Sequence, residues 1–267
     1  MTTLPSRGIS QPAAPWKWAL AGAVLGLVLA TIVCAPAQWL ASALYQASGQ
    51  RINLSNASGS IWHGSAQLVL TGGAGSADAT ALPGAVHWHI HPAWNGMSVD
   101  ILADCCTPQA LQVQVRAMGL SSLQVHIADG QSQWPASLLA GLGTPWNTVQ
   151  AQGQLSASTQ ALQLDWNQGR LNLSGRVQLD ALHVSSRLST ISPMGSYRFT
   201  LLGGPTPSLQ LETLEGSLQL TGQGQWVGQH LHFTGVASAA PERVEALSNL
   251  LNILGRRDGA RSIITVG

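Results

Sequence analysis

The sequence has little charge and few of the residues that bind nucleic acid. Charged side chains are 9% of the chain, against about 25% in a typical soluble domain. Beyond residue 35 there are ten Arg, eleven acidic residues and no Lys. Nucleic-acid binding needs a stripe of basic residues that neutralises phosphates. We therefore exclude nucleic acid as a partner.

Sequence signatures of catalysis are also missing. The segment G-M-S-V-D (96–100) lacks the second Gly of a nucleophile elbow, and neither a phosphate-binding loop nor a dinucleotide fingerprint occurs. Glu212 and Glu215 are three residues apart on a predicted strand, which predicts opposite faces and no acid–base pair. The sequence predicts a protein that is not an enzyme and holds no cofactor.

Cysteine is scarce, and its spacing fits neither a zinc site nor a redox motif. Cys105 and Cys106 are adjacent. Outside the cytoplasm thiols tend to oxidise, but adjacent cysteines bridge only through a strained eight-membered ring. The open alternatives are a disulfide between the two neighbours, two free thiols, or bonds between molecules.

One stretch has the length and composition of a membrane span. No charged side chain occurs between Lys17 and Arg51, and residues 18–35 are almost wholly apolar. About 18 helical residues span roughly 27 Å, close to the hydrocarbon thickness of a bilayer. Arg7 and Lys17 precede the stretch without an acidic residue. The positive-inside rule then predicts a cytoplasmic segment 1–17, with the rest of the chain across the membrane.

Two other interpretations of this stretch stay open. The segment A-P-A (35–37) offers the small residues that signal peptidase recognises, although the apolar run and the segment before it are longer than usual. Lipid modification of Cys34 is disfavoured because Val33, not a small residue, precedes it. We expect an uncleaved anchor, followed by a helix near the membrane surface within residues 36–51.

After residue 51 the hydrophobic period becomes two. Apolar residues alternate with Gln, Ser, Thr or His, which places them on one face of a strand and the polar residues on the other. The alternating segments are 111–115, 123–127, 162–166, 171–184, 197–202, 209–220 and 230–237. Breaks such as Asn95-Gly96 mark hairpins. The pattern predicts a mainly β fold with a curved, mainly antiparallel sheet.

Two short helices are predicted within the β-rich part, at 134–143 and 241–257. Each has Pro near its start and Gly near its end, as helix termini prefer. Arg256 and Arg257 are interpreted as charges that complement the dipole at the helix end. The order of strands and helices suggests an internal duplication, with halves 52–147 and 148–267.

Several short segments go beyond what periodicity dictates. They are G-S-I-W-H-G (59–64), P-M-G-S-Y-R (193–198), L-x-x-L-L-N-I-L-G-R-R-D-G (247–259) and S-I-I-T-V-G (262–267). Together with the single N-terminal apolar stretch, they resemble the N component of the bacterial type II secretion system. The resemblance covers essentially the whole chain.

This resemblance implies a function in which no reaction is catalysed. Such proteins are single-pass inner-membrane proteins with their bulk in the periplasm, and they serve a machine that moves folded proteins across the outer membrane. It implies an accessory or scaffold role, through contacts with the inner-membrane platform components and the secretin. A distant resemblance to AsmA-like proteins implies the alternative, a groove for lipid or another apolar ligand in outer-membrane biogenesis.

The motif residues are the first candidates for a partner-binding or structural role. Ten Trp against two Phe and two Tyr is an unusual bias, and Trp either fills a core or anchors a partner. The candidates are Trp62, Gly64, Trp226, Leu250, Leu251, Gly255, Arg256 and Arg257.

His87, His89 and His91 alternate on one predicted strand and share a face. Imidazole binds Zn²⁺, Cu²⁺ or Ni²⁺, but no carboxylate or thiol lies within a few residues. His230 and His232 repeat the spacing, as a polar strand face would. The sequence therefore favours a polar face over a metal site at these three residues.

Overall fold

The computed structural model describes residues 16–119, 121–228 and 230–267. They belong to two compact units, the first ending at Ala35 and the second spanning Pro36–Gly267. Arg7 and most of the predicted cytoplasmic segment 1–17 lie outside the described residues.

The described part of the first unit is one helix, α1 (Trp16–Val33), of 18 residues with no buried side chain. By length and composition it is a candidate membrane span. It begins and ends two residues earlier than the predicted span of 18–35, which is the usual scatter of helix boundaries.

The second unit is built on one open sheet, and all pairings among its 16 strands are antiparallel. This confirms the predicted mainly β, antiparallel fold. The strands are β1 (Ile52–Gly59), β2 (His63–Thr71), β3 (Ala79–Ala81), β4 (Val86–Ala93), β5 (Gly96–Ala103), β6 (Leu111–Ala117), β7 (Ser122–Ile127), β8 (Gly130–Pro135), β9 (Gln152–Asn167), β10 (Arg170–Ser185), β11 (Gly195–Leu202), β12 (Ser208–Gly216), β13 (Leu218–Val227), β14 (His230–Ala239), β15 (Arg256–Asp258) and β16 (Arg261–Val266).

The strand order is mostly the chain order, as expected for successive hairpins. It runs β1-β2-β4-β5-β6-β7-β9-β10-β11-β12-β13-β14-β16-β15, with β3 beside β2 and β8 beside β9. The long strand β9 pairs with β8 along its first half and with β7 along its second half. Both predicted halves contribute to this one sheet, and their similarity stays a prediction.

Few helices accompany the sheet. They are α2 (Ala37–Ala47), a 3-10 helix (Ala136–Leu142), α3 (Trp146–Val149), a 3-10 turn (Pro241–Arg243) and α4 (Val244–Leu254). Helix α2 lies within the predicted segment 36–51 and packs on β1 and β2. The predicted helix at 134–143 is a 3-10 helix that follows directly on β8.

The second predicted helix, 241–257, extends further than the helix in the structure. Helix α4 stops at Leu254, and Arg256–Asp258 forms β15, paired with β16. Gly255 permits this change because a Cβ there would lie 2.2 Å from the carbonyl oxygen of Ile263. The interpretation of Arg256 and Arg257 as charges at a helix end is therefore wrong.

The helices cover parts of one sheet face, and the buried apolar residues lie beneath them. Helix α2 packs over Ala66 and Trp88, and the first 3-10 helix contributes Leu138 to a second cluster. The largest cluster joins Leu247, Leu250 and Leu251 of α4 to Tyr197, Leu211, Phe233 and other residues of β9–β14. The core is thus concentrated at these three places.

Candidate functional site

The segment 59–64 forms the turn between β1 and β2 and holds a buried indole. Trp88 donates a hydrogen bond from Nε1 to the carbonyl oxygens of Ser60 at 3.3 Å and Ile61 at 3.2 Å. A Cβ on Gly64 would lie 2.5 Å from Cζ2 of the same ring. Trp62, which is half-buried, accepts a backbone hydrogen bond from Ile90 at 2.6 Å. This motif therefore has a structural role in packing Trp88.

The segment 193–198 opens β11 and is also built into the core. A Cβ on Gly195 would lie 2.6 Å from the carbonyl oxygen of Glu215. Tyr197 is buried and donates a hydrogen bond to the carbonyl oxygen of Leu218 at 3.2 Å. Burial raises the pKa of its phenol, so the tyrosine stays protonated and available as a donor.

The C-terminal motif combines buried and exposed residues. Leu250 and Leu251 are 1% and 0% exposed, so they fill the core. Arg256 is exposed, whereas Arg257 donates a hydrogen bond from Nε to the carbonyl oxygen of Gly259 at 2.6 Å. The buried Nη1 of Arg257 has no hydrogen-bond partner among the described residues. Arg256 shares its exposure with Asn252, Ile253 and Asp258 of the same motif, and its role in binding a partner stays a prediction.

Trp226, the other tryptophan singled out, lies in β13 and is half-buried. Its amide donates a hydrogen bond to the carbonyl oxygen of Pro207 at 3.0 Å. Its side chain is opposite Leu231 of β14. The roles of Trp62 and Trp226 in binding a partner stay predictions.

Charged side chains gather on the polar face of β10–β12. Arg198 donates two hydrogen bonds of 2.8 Å to the carboxylate of Asp180. This guanidinium lowers the pKa of Asp180, and the carboxylate in turn raises the pKa of Arg198. Nη1 of Arg198 also lies 3.9 Å from Glu212. Sequence reasoning did not single out this ion pair.

The prediction that Glu212 and Glu215 face opposite ways is wrong. In β11–β12 Tyr197 is opposite Thr213, but Ser196 is opposite Glu215, so an extra residue bulges out of β12. The bulge turns both glutamates to the face that carries Arg198. Both side chains are more than half exposed, and the surface there is open.

A second polar cluster lies on β2, β4 and β5. His89 is opposite His63 on one side and opposite Asp100 on the other. Ring centroids are 5.5 Å apart for His63 and His89, and 4.2 Å apart for His89 and His91. Nε2 of His91 lies 2.9 Å from Oδ2 of Asp100. Nε2 of His87 lies 3.2 Å from Asp104 and joins a separate pair.

The sequence prediction included His89 and His91 but missed His63 and Asp100. Both come from neighbouring strands: His63 is distant in sequence, whereas Asp100 lies across one hairpin turn. The Asn95-Gly96 turn is a signal for Asp100, because a hairpin centred on these two residues places residue 100 opposite residue 91. In the structure the turn residues are Trp94 and Asn95, which places Asp100 opposite His89, on the same face.

The opposite face of the central strands carries an apolar strip that extends beyond the three clusters. Cross-strand pairs such as Val115–Val125 and Leu164–Leu173 join it from β5 to β10. We call this surface the apolar strip. Its residues are the half-buried Val99, Val113, Val115, Val125, Leu164 and Leu173, and the exposed Met97, Leu123, Trp166 and Leu171.

A cleft of about 760 Å³ lies where β8 replaces β7 beside β9. Its lining includes Leu111, Ile127 and Ala157, and Asp129 is the one titratable residue among those that line it. The carboxylate of Asp129 accepts a hydrogen bond from the amide of Ala161 at 2.6 Å. The cleft thus offers volume but no set of groups for acid–base catalysis.

Cys105 and Cys106 lie in the connection between β5 and β6 and are joined by a disulfide. Cys106 is 3% exposed and belongs to the cluster beneath the first 3-10 helix. Its carbonyl oxygen accepts a hydrogen bond from Gln133 of β8 at 2.7 Å. The disulfide between neighbours is one of the three alternatives that the sequence leaves open.

Comparison with known proteins gives one finding. The model of the family described as Type II secretion system (T2SS), protein N matches residues 50–264. No curated protein and no solved structure matches the chain. The matched region begins just before β1 and ends within β16, so it contains almost the whole sheet.

Proposed function

Since the chain belongs to the type II secretion system protein N family, we propose that it is a non-enzymatic accessory component of that machine. It supports the export of folded proteins from the periplasm across the outer membrane by binding other components, with the inner-membrane platform and the secretin as partners. The family match is the observation that carries this proposal.

The proposed topology follows from α1. One apolar helix at the start of the described chain fits a single-pass inner-membrane protein. In our proposal the N-terminus is cytoplasmic and the sheet unit is periplasmic, because Arg7 and Lys17 precede the span. A disulfide between Cys105 and Cys106 agrees with an oxidising compartment.

The two ends of the open sheet are the proposed contact surfaces. Edge strands present unpaired backbone groups that a partner strand can pair with. One edge is β1, which is interrupted by a bulge between Ser55 and Ser58. At the other edge β15 covers only the first residues of β16. A partner that adds a strand would meet the backbone of Ile264–Val266 beside the exposed Arg256.

Photo-crosslinking in cells tests the proposal. A photoreactive residue is placed at Asn56 in β1, beside the Trp62 turn, or at Arg256; both positions are exposed. The matched control is Gln112, which is exposed on the central strand β6. We expect secretion-machine components to be captured from an edge position and not from Gln112. Capture of phospholipid or lipopolysaccharide alone would contradict the scaffold role.

The apolar strip favours a second candidate function. Large exposed apolar patches mark interaction sites or ligand-binding grooves, and here Leu123, Trp166 and Leu171 are 42%, 48% and 54% exposed. Acyl chains are extended and apolar, as the strip is. The second candidate is therefore an AsmA-like surface that binds lipid.

A lipid carrying a photoreactive acyl chain tests this second function. Purified full-length protein is irradiated with the lipid, and the modified residues are identified by mass spectrometry. We expect labels on the strip, with labelling reduced by Val125→Gln. The matched control is Gln124→Ala on the other face of β7. Equal labelling of the wild type and the Val125→Gln variant would exclude the strip as the binding surface.

A further inference from the structure

Three potential metal ligands meet on the polar face of β4 and β5, and a fourth lies beside them on β2. The ligand atoms of His89, His91 and Asp100 all lie within 4.8 Å of one another. His63 lies beside them, opposite His89 in the sheet. The four side chains come from three neighbouring strands, so their backbone positions are fixed by the hydrogen bonds of the sheet.

The chemistry of this set matches a transition-metal ion. Zn²⁺ takes imidazole nitrogen and carboxylate oxygen at about 2.0–2.2 Å, in a tetrahedron whose ligand atoms are roughly 3.4 Å apart. The ligand atoms of His89, His91 and Asp100 lie within 4.8 Å of one another, so side-chain rotation of about 1.4 Å or less brings them to tetrahedral spacing. Nε2 of His91 and Oδ2 of Asp100, now 2.9 Å apart, must separate slightly. His89 is exposed, and His91 and Asp100 are half-buried, so the side chains have room to turn. Ca²⁺ and Mg²⁺ prefer sites made of oxygen atoms.

We propose that His63, His89, His91 and Asp100 form a site for a divalent transition-metal ion, with Zn²⁺ as the ion that fits best. The ion sits between His91 and Asp100 and replaces their present 2.9 Å contact. It joins β2, β4 and β5 on the face opposite Trp88 and Ile90. Its role is to fix the first strands of the sheet, next to the turn that contains Trp62.

Zinc titration of the full-length protein in detergent tests the site. The protein is purified with an affinity tag that contains no histidine and is freed of metal with a chelator. Calorimetry measures the affinity, and elemental analysis after gel filtration measures the stoichiometry. We expect one Zn²⁺ per chain in the wild type. Affinity should fall about 10- to 100-fold or more in His89→Gln and in Asp100→Asn, since even losing an outer-shell partner costs that much.

The control is His232→Gln, which removes one histidine of the other H-x-H pair, on β14. It should bind Zn²⁺ as the wild type does. The proposal is overturned if the wild type binds no Zn²⁺ at about 100-fold excess, or if the double variant His89→Gln, His91→Gln keeps wild-type affinity. A second measurement needs no variant: Co²⁺ bound to the wild type should show the intense visible absorption of a tetrahedral site. A weak spectrum, typical of octahedral Co²⁺, would count against the proposed tetrahedral site.

Discussion

At the scale of single residues, the glycines of the sequence motifs are explained by close approach of neighbouring atoms. Gly64 lies against Trp88, and Gly195 lies against the backbone of Glu215. In both positions the missing side chain makes room for a neighbouring strand or ring. At these two positions the motifs therefore serve the packing of the sheet.

Gly64→Ala should destabilise the protein. The new methyl group would lie 2.5 Å from the Trp88 ring and 2.6 Å from the carbonyl oxygen of Ser58, and overpacking of this kind costs about 1–3 kcal/mol. Gly130→Ala is the control, since its nearest neighbour would be 3.9 Å away. Urea unfolding monitored by Trp fluorescence measures both. Equal stability of the two variants would mean that Trp88 can move aside at no cost.

The Asp180–Arg198 pair should make stability depend on pH in the acidic range. The guanidinium of Arg198 lowers the pKa of Asp180 in the folded state. The pair therefore stabilises the fold above the unfolded pKa of about 3.9, and this contribution is lost as the pH falls through the lower, folded pKa. Arg198 and Asp180 are 32% and 17% exposed, so solvent screening reduces the effect to about 1 kcal/mol.

Asp180→Asn checks this pH dependence. At pH 7 the variant should unfold with about 1 kcal/mol less free energy than the wild type, and the difference should shrink as the pH falls below the unfolded pKa of about 3.9 and the carboxylate becomes protonated. Urea unfolding at several pH values measures it. If the difference in free energy of unfolding did not change with pH, Asp180 would stabilise the fold through its hydrogen-bond geometry and not through its charge.

At the scale of elements, period-two alternation predicted strands well because each strand has one buried and one polar face. The segment 123–127 lies within β7, for example. The alternation over 209–220 predicts one continuous segment, but a turn at Ser217 divides it into β12 and β13. A turn of one residue barely disturbs the alternation of apolar and polar residues, so the turn at Ser217 could not be predicted. The bulge in β12 disturbs it equally little, so the common face of Glu212 and Glu215 could not be predicted either.

The candidate sites were predicted less completely than the strands. Local spacing found His89 and His91, but His63 and Asp100 meet them through strand pairing, which spacing does not encode. The apolar strip likewise arises from rows of residues on five strands, β5, β6, β7, β9 and β10. The sequence shows that these residues are apolar. It does not show that they are exposed, because that depends on which part of the sheet face the helices cover.

Helix α4 should contribute to stability through its inner face. Leu251 is 0% exposed, whereas Ile253, two residues away, is 43% exposed. Leu251→Ala should cost about 2–5 kcal/mol through the cavity it leaves. Ile253→Ala should cost less than about 1 kcal/mol, because its side chain stays largely in solvent. Chemical denaturation compares them. If the two losses were equal, α4 would not pack as described.

At the scale of the whole molecule, the two faces of the sheet have different uses. The polar face carries the histidine cluster and the Asp180–Arg198 pair, while the other face holds the core clusters and the apolar strip. Scaffold contacts at the edges and a lipid on the strip are therefore compatible in space, and a metal ion on the polar face would interfere with neither.

The sheet unit should fold without the N-terminal helix, because residues 36–267 form one compact unit. We expect the fragment 36–267 to show a β-type circular dichroism spectrum and cooperative unfolding. The shorter fragment 52–267 is the comparison, since it removes α2 and with it Ala37 and Leu40 from the cluster around Trp88. It should be less stable by about 2 kcal/mol or more, as burying one Leu-sized side chain contributes about 1.5–3 kcal/mol. Equal stability of the two fragments would show that α2 is not part of the folded unit and would free it for the membrane surface.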